Sequence, residues 1–385
     1  MMQTAAILWH VSLLAPVGHK GVALGMVGLV RFLPVVVFSM VSGVVADVYD
    51  RRRVMLITQS AMAVLAAILG VLAWTGLQSI WPIYLLAGLT AIAGSFDGPS
   101  RQALVPNLVP RSDLPNAISL NTIMFQIAAV VGGPAFAAAM LLGDIAWAYW
   151  LNALSFLFVI AALLMMRGVQ GGGTRDGVDR PEMNLRAAMD GLRFVFSQPL
   201  IRSSMLLDFF ATFFASATTL LPIFAQDILV VGIHGYGWLY AAQSLGALVA
   251  SAAMVPLVDR IERRGVVMLW SVAGFGVATI VFGVTRSFWM MFTCLALTGL
   301  ADTVSMVFRG VIRQMETPDH MRGRMVGVNM VFFMGGPQLG EVEAGLVANA
   351  WGAPFSVVTG GVGCVLATAW IAARTPSLRR YRRST

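Results

Sequence analysis

Long apolar runs constrain the fold of this chain more than any other feature of its sequence. Residues 54–77, 118–142 and 266–284 form such runs, each close to the roughly 20 residues that a helix needs to cross a membrane. A backbone in lipid must satisfy its hydrogen bonds internally, and the runs lack the alternating pattern of a membrane barrel. Of the 385 residues, 58% are hydrophobic and 11% are charged, unlike a soluble domain. The sequence therefore predicts an all-α, polytopic transmembrane protein.

The apolar runs between polar segments predict about eleven full transmembrane spans and a partial first helix. We expect the spans at residues 22–46, 54–76, 80–99, 118–141, 147–167, 200–226, 236–258, 266–285, 288–308, 324–348 and 353–373. A further apolar stretch at 5–15 is too short to cross a membrane, and no basic residue precedes it as in a signal peptide. We interpret it as the second half of a first helix.

Basic residues predict the orientation of the spans. Arginines cluster in alternate loops and in the C-terminal tail, whereas only Lys20 and Arg286 fall in the loops between them. Because basic loops stay in the cytoplasm, we predict a cytoplasmic C-terminus and place Lys20 outside. This distribution explains the net charge of +8 without any binding of nucleic acid.

The longest polar stretch divides the chain into two halves. We expect an N-terminal transmembrane bundle at 1–167, a cytoplasmic linker at 168–199, a C-terminal transmembrane bundle at 200–373 and a basic cytoplasmic tail at 374–385. Within the linker, Leu185, Met189, Leu192 and Phe196 recur at helical spacing, which predicts an amphipathic helix on the inner membrane surface. A linker helix without a specific function explains this pattern as well.

The two halves resemble each other. Aligning them pairs Gly25, Asp47, Arg51 and Arg52 with Gly237, Asp259, Arg263 and Arg264. A nearby register pairs Arg101, Pro110, Asn121 and Gly132 with Arg309, Pro318, Asn329 and Gly340. Two registers in the same order indicate homologous halves, as in major facilitator transporters. The predicted fold is therefore a bundle of two pseudo-symmetric six-helix halves.

The loop after the predicted span 22–46 carries a motif. Residues 43–53, GVVADVYDRRR, resemble the loop signature of the major facilitator superfamily, although Val48 replaces its usual arginine. The matching residues are Gly43, Asp47, Arg51, Arg52 and Arg53, with a second copy at Asp259, Arg260, Arg263 and Arg264. A glycine permits close helix packing, and an aspartate at a helix end can exchange basic partners between conformers. The resemblance thus implies a gating latch; the alternative is a basic cluster that only anchors the topology.

Further segments narrow the resemblance. The runs RFLP at 31–34, LPIFAQDIL at 221–229, RGR at 322–324 and GPQLGEVEAG at 336–345 resemble the enterobactin-exporter-like branch of the superfamily. Gly132, Gly133 and Pro134 are similar to an exporter motif in which small residues allow close packing and proline bends the helix. In that branch residues 3–14 match the end of the first helix, so we expect the chain to begin within it.

The resemblance implies a function. We expect a secondary active transporter, monomeric and multi-pass in the bacterial cytoplasmic (inner) membrane, that exports a siderophore, drug or metabolite. Alternating access and protons as the coupling ion belong to this expectation, and the small-molecule substrate and the lipid bilayer are the other expected partners. The alternatives are import of a small metabolite and a shortened homologue that does not transport.

Ionisable residues inside the predicted spans form the candidate pathway, because charges at this depth are costly and line pathways or pair. The shortlist for the substrate and proton pathway is Arg31, Asp208, Asp302, Glu341 and Glu343. Desolvation makes Asp208 a candidate proton carrier, with a buried structural hydrogen bond as the alternative. Arg31 and Glu341 lie at similar predicted depths, so we expect an outer gate between them or, alternatively, a static bond. For Asp302, an ordinary pair with the nearby Arg309 is the alternative.

Enzyme chemistry has no visible signature in the chain. No GxSxG, HExxH or GxGxxG pattern occurs, and the four histidines, His10, His19, His234 and His320, are dispersed. The only lysine, Lys20, does not follow a glycine-rich phosphate loop, which excludes a Walker-type ATPase. We therefore expect no enzyme activity, no cofactor and no metal.

Overall fold

A computed structural model of the protein describes residues 1–16, 18–110, 113–166, 185–214, 217–318 and 321–382. In this part of the chain the secondary structure consists of helices and short connections, without strands. The first elements are α1 (Met2–Leu14), α2 (Lys20–Val48), α3 (Arg51–Trp74), α4 (Trp81–Leu108), α5 (Leu114–Ala139) and α6 (Ala146–Met165). The all-α class predicted from the sequence is confirmed.

The later elements begin with α7 (Leu185–Ser197) and α8 (Pro199–Phe214). After α8 come a short 3₁₀ turn (Ala217–Leu220), α9 (Leu221–Ile223) and a π-helical turn (Phe224–Ile228). The remaining helices are α10 (Gly232–Leu257), α11 (Arg264–Val284), α12 (Phe288–Glu316), α13 (Arg322–Trp351), α14 (Ala353–Arg374) and α15 (Pro376–Arg380).

Most of these helices are suited to a membrane. Within the residues that the structure describes, nine segments are long and apolar enough to cross one. The other two predicted spans, 80–99 and 324–348, correspond to parts of α4 and α13. These helices contain 28 and 30 residues and extend over about 42 and 45 Å at 1.5 Å per residue. The short apolar α1 matches the predicted partial helix.

Exposed tryptophans mark several helix ends. Trp74 ends α3, Trp81 begins α4, Trp289 lies near the start of α12 and Trp351 ends α13, and all four are exposed. Tryptophan is enriched at this depth because its ring is apolar while its N–H group needs a polar partner, which the membrane interface supplies. These ends therefore lie where a membrane helix is expected to meet the interface.

The described helices form two compact units. Unit 1 comprises Met1–Pro16 and Leu29–Pro181, and unit 2 comprises Val17–Gly28 and Glu182–Thr385. The start of α2 thus belongs to unit 2, whereas the sequence pattern predicts that all of residues 1–167 form the N-terminal bundle. The close packing of Gly21 and Gly25 against α13 is the physical reason.

Unit 1 is organised around α3, which packs against α4 and α6, while α1 packs against α5 and α6. Met55, Leu104 and Leu163 form one of its buried clusters. Polar bonds also join α1 to α6, because His10 Nδ1 lies 3.2 Å from the Tyr149 hydroxyl. His10 is therefore a buried residue that ties α1 to α6.

Unit 2 is organised around α12, which packs against α10 and α11, while α8 packs against α13 and α14. Its main core includes Met268, Phe308, Ile312 and Cys364, each fully buried. The helix α7 lies where the sequence predicts an amphipathic helix, and it contacts α8 and α13. Its position on the membrane surface stays a prediction.

Candidate functional site

A network of buried charges joins α8 to α12 in unit 2. Nη1 of Arg309 lies 2.9 Å from Oδ1 of Asp208, an ion-pair distance without hydrogen-bond alignment. Nη2 of Arg309 donates to Oδ1 of Asp302 at 3.0 Å. The side chains of Asp208 and Arg309 are only 3% and 2% exposed, whereas that of Asp302 is 35% exposed.

A second arginine extends the network to α13. Nη2 of Arg313 donates to Oδ2 of Asp208 at 3.1 Å, and Nη1 of Arg313 donates to Oδ1 of Asn329. Arg309 and Arg313 are four residues apart on α12, so both guanidinium groups project from the same face of the helix. Both arginines therefore reach Asp208 of α8, and Arg313 also reaches Asn329 of α13.

The charges of this network balance. Two arginines face two aspartates. Leu207, Phe308 and Ile312, which precede Asp208, Arg309 and Arg313 in the sequence, belong to the buried core of the unit. Removing one partner of a buried pair leaves an uncompensated charge, which is far more costly than the pair itself is stabilising. Protonation of Asp208 would have the same consequence, because each of its oxygens faces a guanidinium group.

The geometry bears on the two roles considered for Asp208, proton carrier and buried structural residue. The structure places its carboxylate between Arg309 and Arg313, where it is buried. The alternative, a buried structural role, fits this arrangement better. Asp302 lies at the exposed edge of the same network, so its assignment to the pathway stays a prediction.

A different arrangement surrounds the pair in unit 1. Arg101, which the internal repeat aligns with Arg309, donates to Oδ2 of Asp97 at 3.0 and 3.2 Å, and its side chain is 45% exposed. Asp97 also accepts hydrogen bonds from Thr58 at 3.2 Å and from Gln59 at 2.8 Å. The carboxylate of Asp97 is therefore bound by the Arg101 guanidinium at Oδ2 and by two neutral donors at Oδ1.

The start of α2 carries an ion pair. Nζ of Lys20 donates to both carboxylate oxygens of Asp227 at 2.9 and 3.0 Å, and it reaches Oε1 of Gln226 at 3.4 Å. Asp227 belongs to the π-helical turn Phe224–Ile228. Both side chains are partly exposed, at 27% and 46%, so the pair contributes at most about 1 kcal/mol.

Glycines let the start of α2 approach α13 closely. A Cβ atom built on Gly21 would lie 2.6 Å from the carbonyl oxygen of Gly345, and one on Gly25 would lie 2.9 Å from that of Glu341. One built on Gly345 would lie 2.8 Å from the Gly25 Cα. These distances are too short for any side chain, so this seam of Gly21, Gly25 and Gly345 requires glycine. Such small-residue packing drives association between membrane helices.

Glu343 differs from the other acidic residues of the predicted pathway. It lies on α13, two residues beyond Glu341, and it is partly buried. In the portion of the chain that the structure describes, no hydrogen bond or ion pair engages its carboxylate. Glu341 packs against Gly28 of α2, while Arg31 lies in the part of α2 that belongs to unit 1. The predicted pair between Arg31 and Glu341 stays a prediction.

The predicted gating loop has a defined local structure at its basic end. Asp50 caps α3 by accepting hydrogen bonds from the backbone N–H groups of Arg52 and Arg53. The guanidinium of Arg52 donates to the carbonyl oxygens of Leu163 and Leu164 at 2.7 and 2.9 Å, where a cation at the end of α6 is favoured by the helix dipole. The surroundings of Gly43 and the side chain of Asp47 lie outside what the structure describes.

The other motif residues are placed as follows. Arg263 is exposed and immediately precedes α11, as Asp50 precedes α3. Pro134 lies inside α5, and Gly132 of the same helix packs directly against Met1. The close approach at Gly132 is of the kind that the glycine–proline motif implies, while the gating and bending roles stay predictions.

Sequence reasoning missed four residues that the structure brings into these clusters: Lys20, Asp227, Arg313 and Asn329. Two of them carried a usable signal, because Asn329 aligns with Asn121 in the repeat and Arg313 follows Arg309 by one helical turn. Lys20 and Asp227 lie far apart in sequence, so only the packing of the start of α2 could reveal their contact.

Comparisons with known proteins agree on the type of molecule. The family model for transmembrane secretion effectors matches residues 1–382. The chain is 29% identical over 350 residues to the multidrug efflux pump Tap of Mycolicibacterium fortuitum, covering 87% of this chain and 83% of that protein. It is 26% identical over 345 residues to the enterobactin exporter EntS of Escherichia coli O1:K1, covering 90% and 81%.

Solved structures share the fold at low sequence identity. A POT family transporter in complex with 5-aminolevulinic acid superposes with a TM-score of 0.76 at 9% identity, covering 98% of this chain and 94% of that one. A bacterial homologue of the human lysosomal transporter Spinster, in an inward-facing and unoccupied conformation, gives 0.73 at 14% identity, covering 100% and 96%. These neighbours confirm the predicted helical transporter bundle.

Proposed function

The chain belongs to the family of transmembrane secretion effectors and is an efflux transporter with the major facilitator fold, and from this premise we propose that it exports a small molecule in exchange for protons. The names of Tap and EntS suggest a drug-like or siderophore-like substrate. We place the protein in a bacterial cytoplasmic membrane with its C-terminus in the cytoplasm, which the distribution of arginines supports.

The observation that carries proton coupling is the unpaired carboxyl group of Glu343. Burying a charged carboxylate without a counter-charge in a membrane span is unfavourable, whereas burying the neutral, protonated form costs much less free energy. A proton carrier must exist in both forms during the cycle, so it should not be needed to neutralise a fixed cation. Among the described acidic residues of the pathway, Glu343 meets this requirement and Asp208 does not.

Alternating access requires a contact that closes and opens on each side of the membrane. On the predicted outer side, the start of α2 packs on α13 through the seam of Gly21, Gly25 and Gly345. The exposed pair of Lys20 and Asp227 reinforces this closure. An ion pair in contact with water costs little to break, so this pair adds little to the barrier against opening of the closure during the cycle. Binding of substrate, or of a proton at Glu343, would then need to shift the equilibrium between the closed and the open conformation by only a few kcal/mol.

Everted membrane vesicles test the proposed function directly. Vesicles containing the chain should accumulate radiolabelled drug or enterobactin when respiration acidifies their interior, and an uncoupler should abolish this accumulation. Vesicles without the chain are the control for passive uptake. Accumulation that persists unchanged after the uncoupler would contradict proton coupling, and no accumulation of any member of a broad panel would contradict export.

A further inference from the structure

A groove of about 780 Å³ opens among α2, α3 and α4 of unit 1. Its lining is predominantly apolar and includes Val45, Ile57, Ala61, Val64, Leu89 and Phe96. Ile57 and Val64 are 70% and 58% exposed, so the groove lies open along the side of α3. The hydroxyl of Thr58, which also lines it, is already bonded to Met55 and Asp97. An apolar occupant therefore fits this groove better than a polar one.

An arginine stands at one end of the groove. Arg53 shares a face of α3 with Ile57, Ser60 and Val64, because these residues follow at spacings of four, three and four. Its side chain is exposed, and among the described residues no hydrogen bond or ion pair engages its guanidinium group. Its neighbour Arg52, in contrast, is bound to the carbonyl groups at the end of α6. Arg53 is thus a cation left available for an external anion.

We propose that this groove binds an anionic phospholipid of the inner leaflet, with the phosphate group on Arg53 and an acyl chain along Ile57 to Val64. From Arg53 to Val64 the helix rises about 16 Å, close to the roughly 15 Å of hydrocarbon in one leaflet. The predicted orientation places Arg53 at the cytoplasmic surface, where anionic headgroups attract basic residues. The combination of an unneutralised cation and an apolar groove of this length distinguishes the site from an ordinary lipid-facing surface.

In unit 2, another segment of the protein covers the position that corresponds to Arg53. The repeat aligns Arg52 with Arg264, so Gly265 corresponds to Arg53. A Cβ atom on Gly265 would overlap the carbonyl group of Leu378 in α15, and Leu378 is fully buried. In unit 2, an apolar residue therefore covers the helix start that remains open at Arg53 in unit 1.

Native mass spectrometry of the full-length protein in detergent tests the site. The wild type should retain phosphatidylglycerol in preference to phosphatidylcholine, and Arg53→Gln should weaken that retention about fivefold, as expected for loss of one basic contact with an anionic lipid. Arg53→Lys should keep most of it. Arg263→Gln, which removes an exposed arginine from the corresponding loop of unit 2, is the matched control and should leave retention unchanged.

A bulky groove variant separates the headgroup contact from the acyl contact. Ala61→Trp should reduce the retention of both lipids, because the indole would occupy the space of the acyl chain. Equal retention of the two lipids by the wild type would overturn the proposal, as would equal losses in Arg53→Gln and Arg263→Gln. If Arg53→Gln fails to fold, Ala61→Trp tests the proposal in the same assay. Unchanged lipid retention by Ala61→Trp would overturn the proposal.

Discussion

Arg101 and Arg309 occupy equivalent positions in the internal repeat but lie in opposite environments. Arg309 is 2% exposed and faces two aspartates, whereas Arg101 is 45% exposed and, among the residues that the structure describes, pairs with Asp97. The two halves have therefore kept the arginine while changing what surrounds it. In unit 2 the cation is part of a balanced, buried network that fixes α8, α12 and α13, and in unit 1 it is a replaceable surface contact. The same residue type thus has a structural task in one half that it lacks in the other.

The largest expected effect is on stability, from replacing the two arginines. Arg309→Gln should lower the free energy of unfolding by about 3–5 kcal/mol, because it leaves a buried carboxylate uncompensated. Arg101→Gln, the matched control, should lower it by at most about 1 kcal/mol. Denaturant unfolding in detergent micelles measures both. Equal losses would show that burial does not distinguish the two positions.

A double-mutant cycle sharpens the comparison within unit 2. Arg313→Gln should cost about 3–5 kcal/mol, because it removes a charged partner of the buried Asp208. Asn329→Ala should cost about 1–3 kcal/mol, because a buried hydrogen bond to a charged group is lost. Since the two side chains bond to each other, their combined effect should fall short of the sum by about 0.5 kcal/mol or more. The same micelle unfolding assay applies. Strict additivity would mean that α13 is not tied to the network through Asn329.

The partly exposed pair of Lys20 and Asp227 in unit 2 tests whether burial or location in the unit determines the loss of unfolding free energy. Lys20 and Asp227 lie in the same unit as Arg309 but are partly exposed. We expect Lys20→Gln to change the free energy of unfolding by less than about 1 kcal/mol, and the effect should fade in high salt because screening weakens exposed pairs. A loss comparable to that of Arg309→Gln would indicate that the location in unit 2, and not burial, sets the energetic difference.

The sequence predicted the elements of this fold better than their contacts. Hydrophobic runs near 54–76 and 266–285 correspond to α3 and α11 because each run is long and its boundaries are polar. The repeat already paired Arg101 with Arg309. It could not show that Asp208 meets Arg309 and Arg313, since that contact depends on how α8 packs against α12.

Sequence patterns also did not predict which unit the start of α2 packs with. Hydropathy identifies the helix as one continuous element, although three glycines, Gly21, Gly25 and Gly28, are concentrated in its first nine residues. The assignment of that start to unit 2 depends on the approach of Gly21 and Gly25 to Gly345. Glycines are frequent in membrane helices, so their presence alone does not identify a partner.

The Asp208 carboxylate is paired with two arginines, whereas we propose that the Glu343 carboxyl group carries protons, and a proton-flux measurement tests this distinction. Purified protein in liposomes containing a pH-sensitive dye should show proton movement when a transported substrate is added. Glu343→Gln should abolish this movement while substrate binding and the unfolding transition remain, and Glu262→Gln, an exposed loop control, should behave as the wild type. Substrate-dependent proton flux that is undiminished in Glu343→Gln would contradict the account.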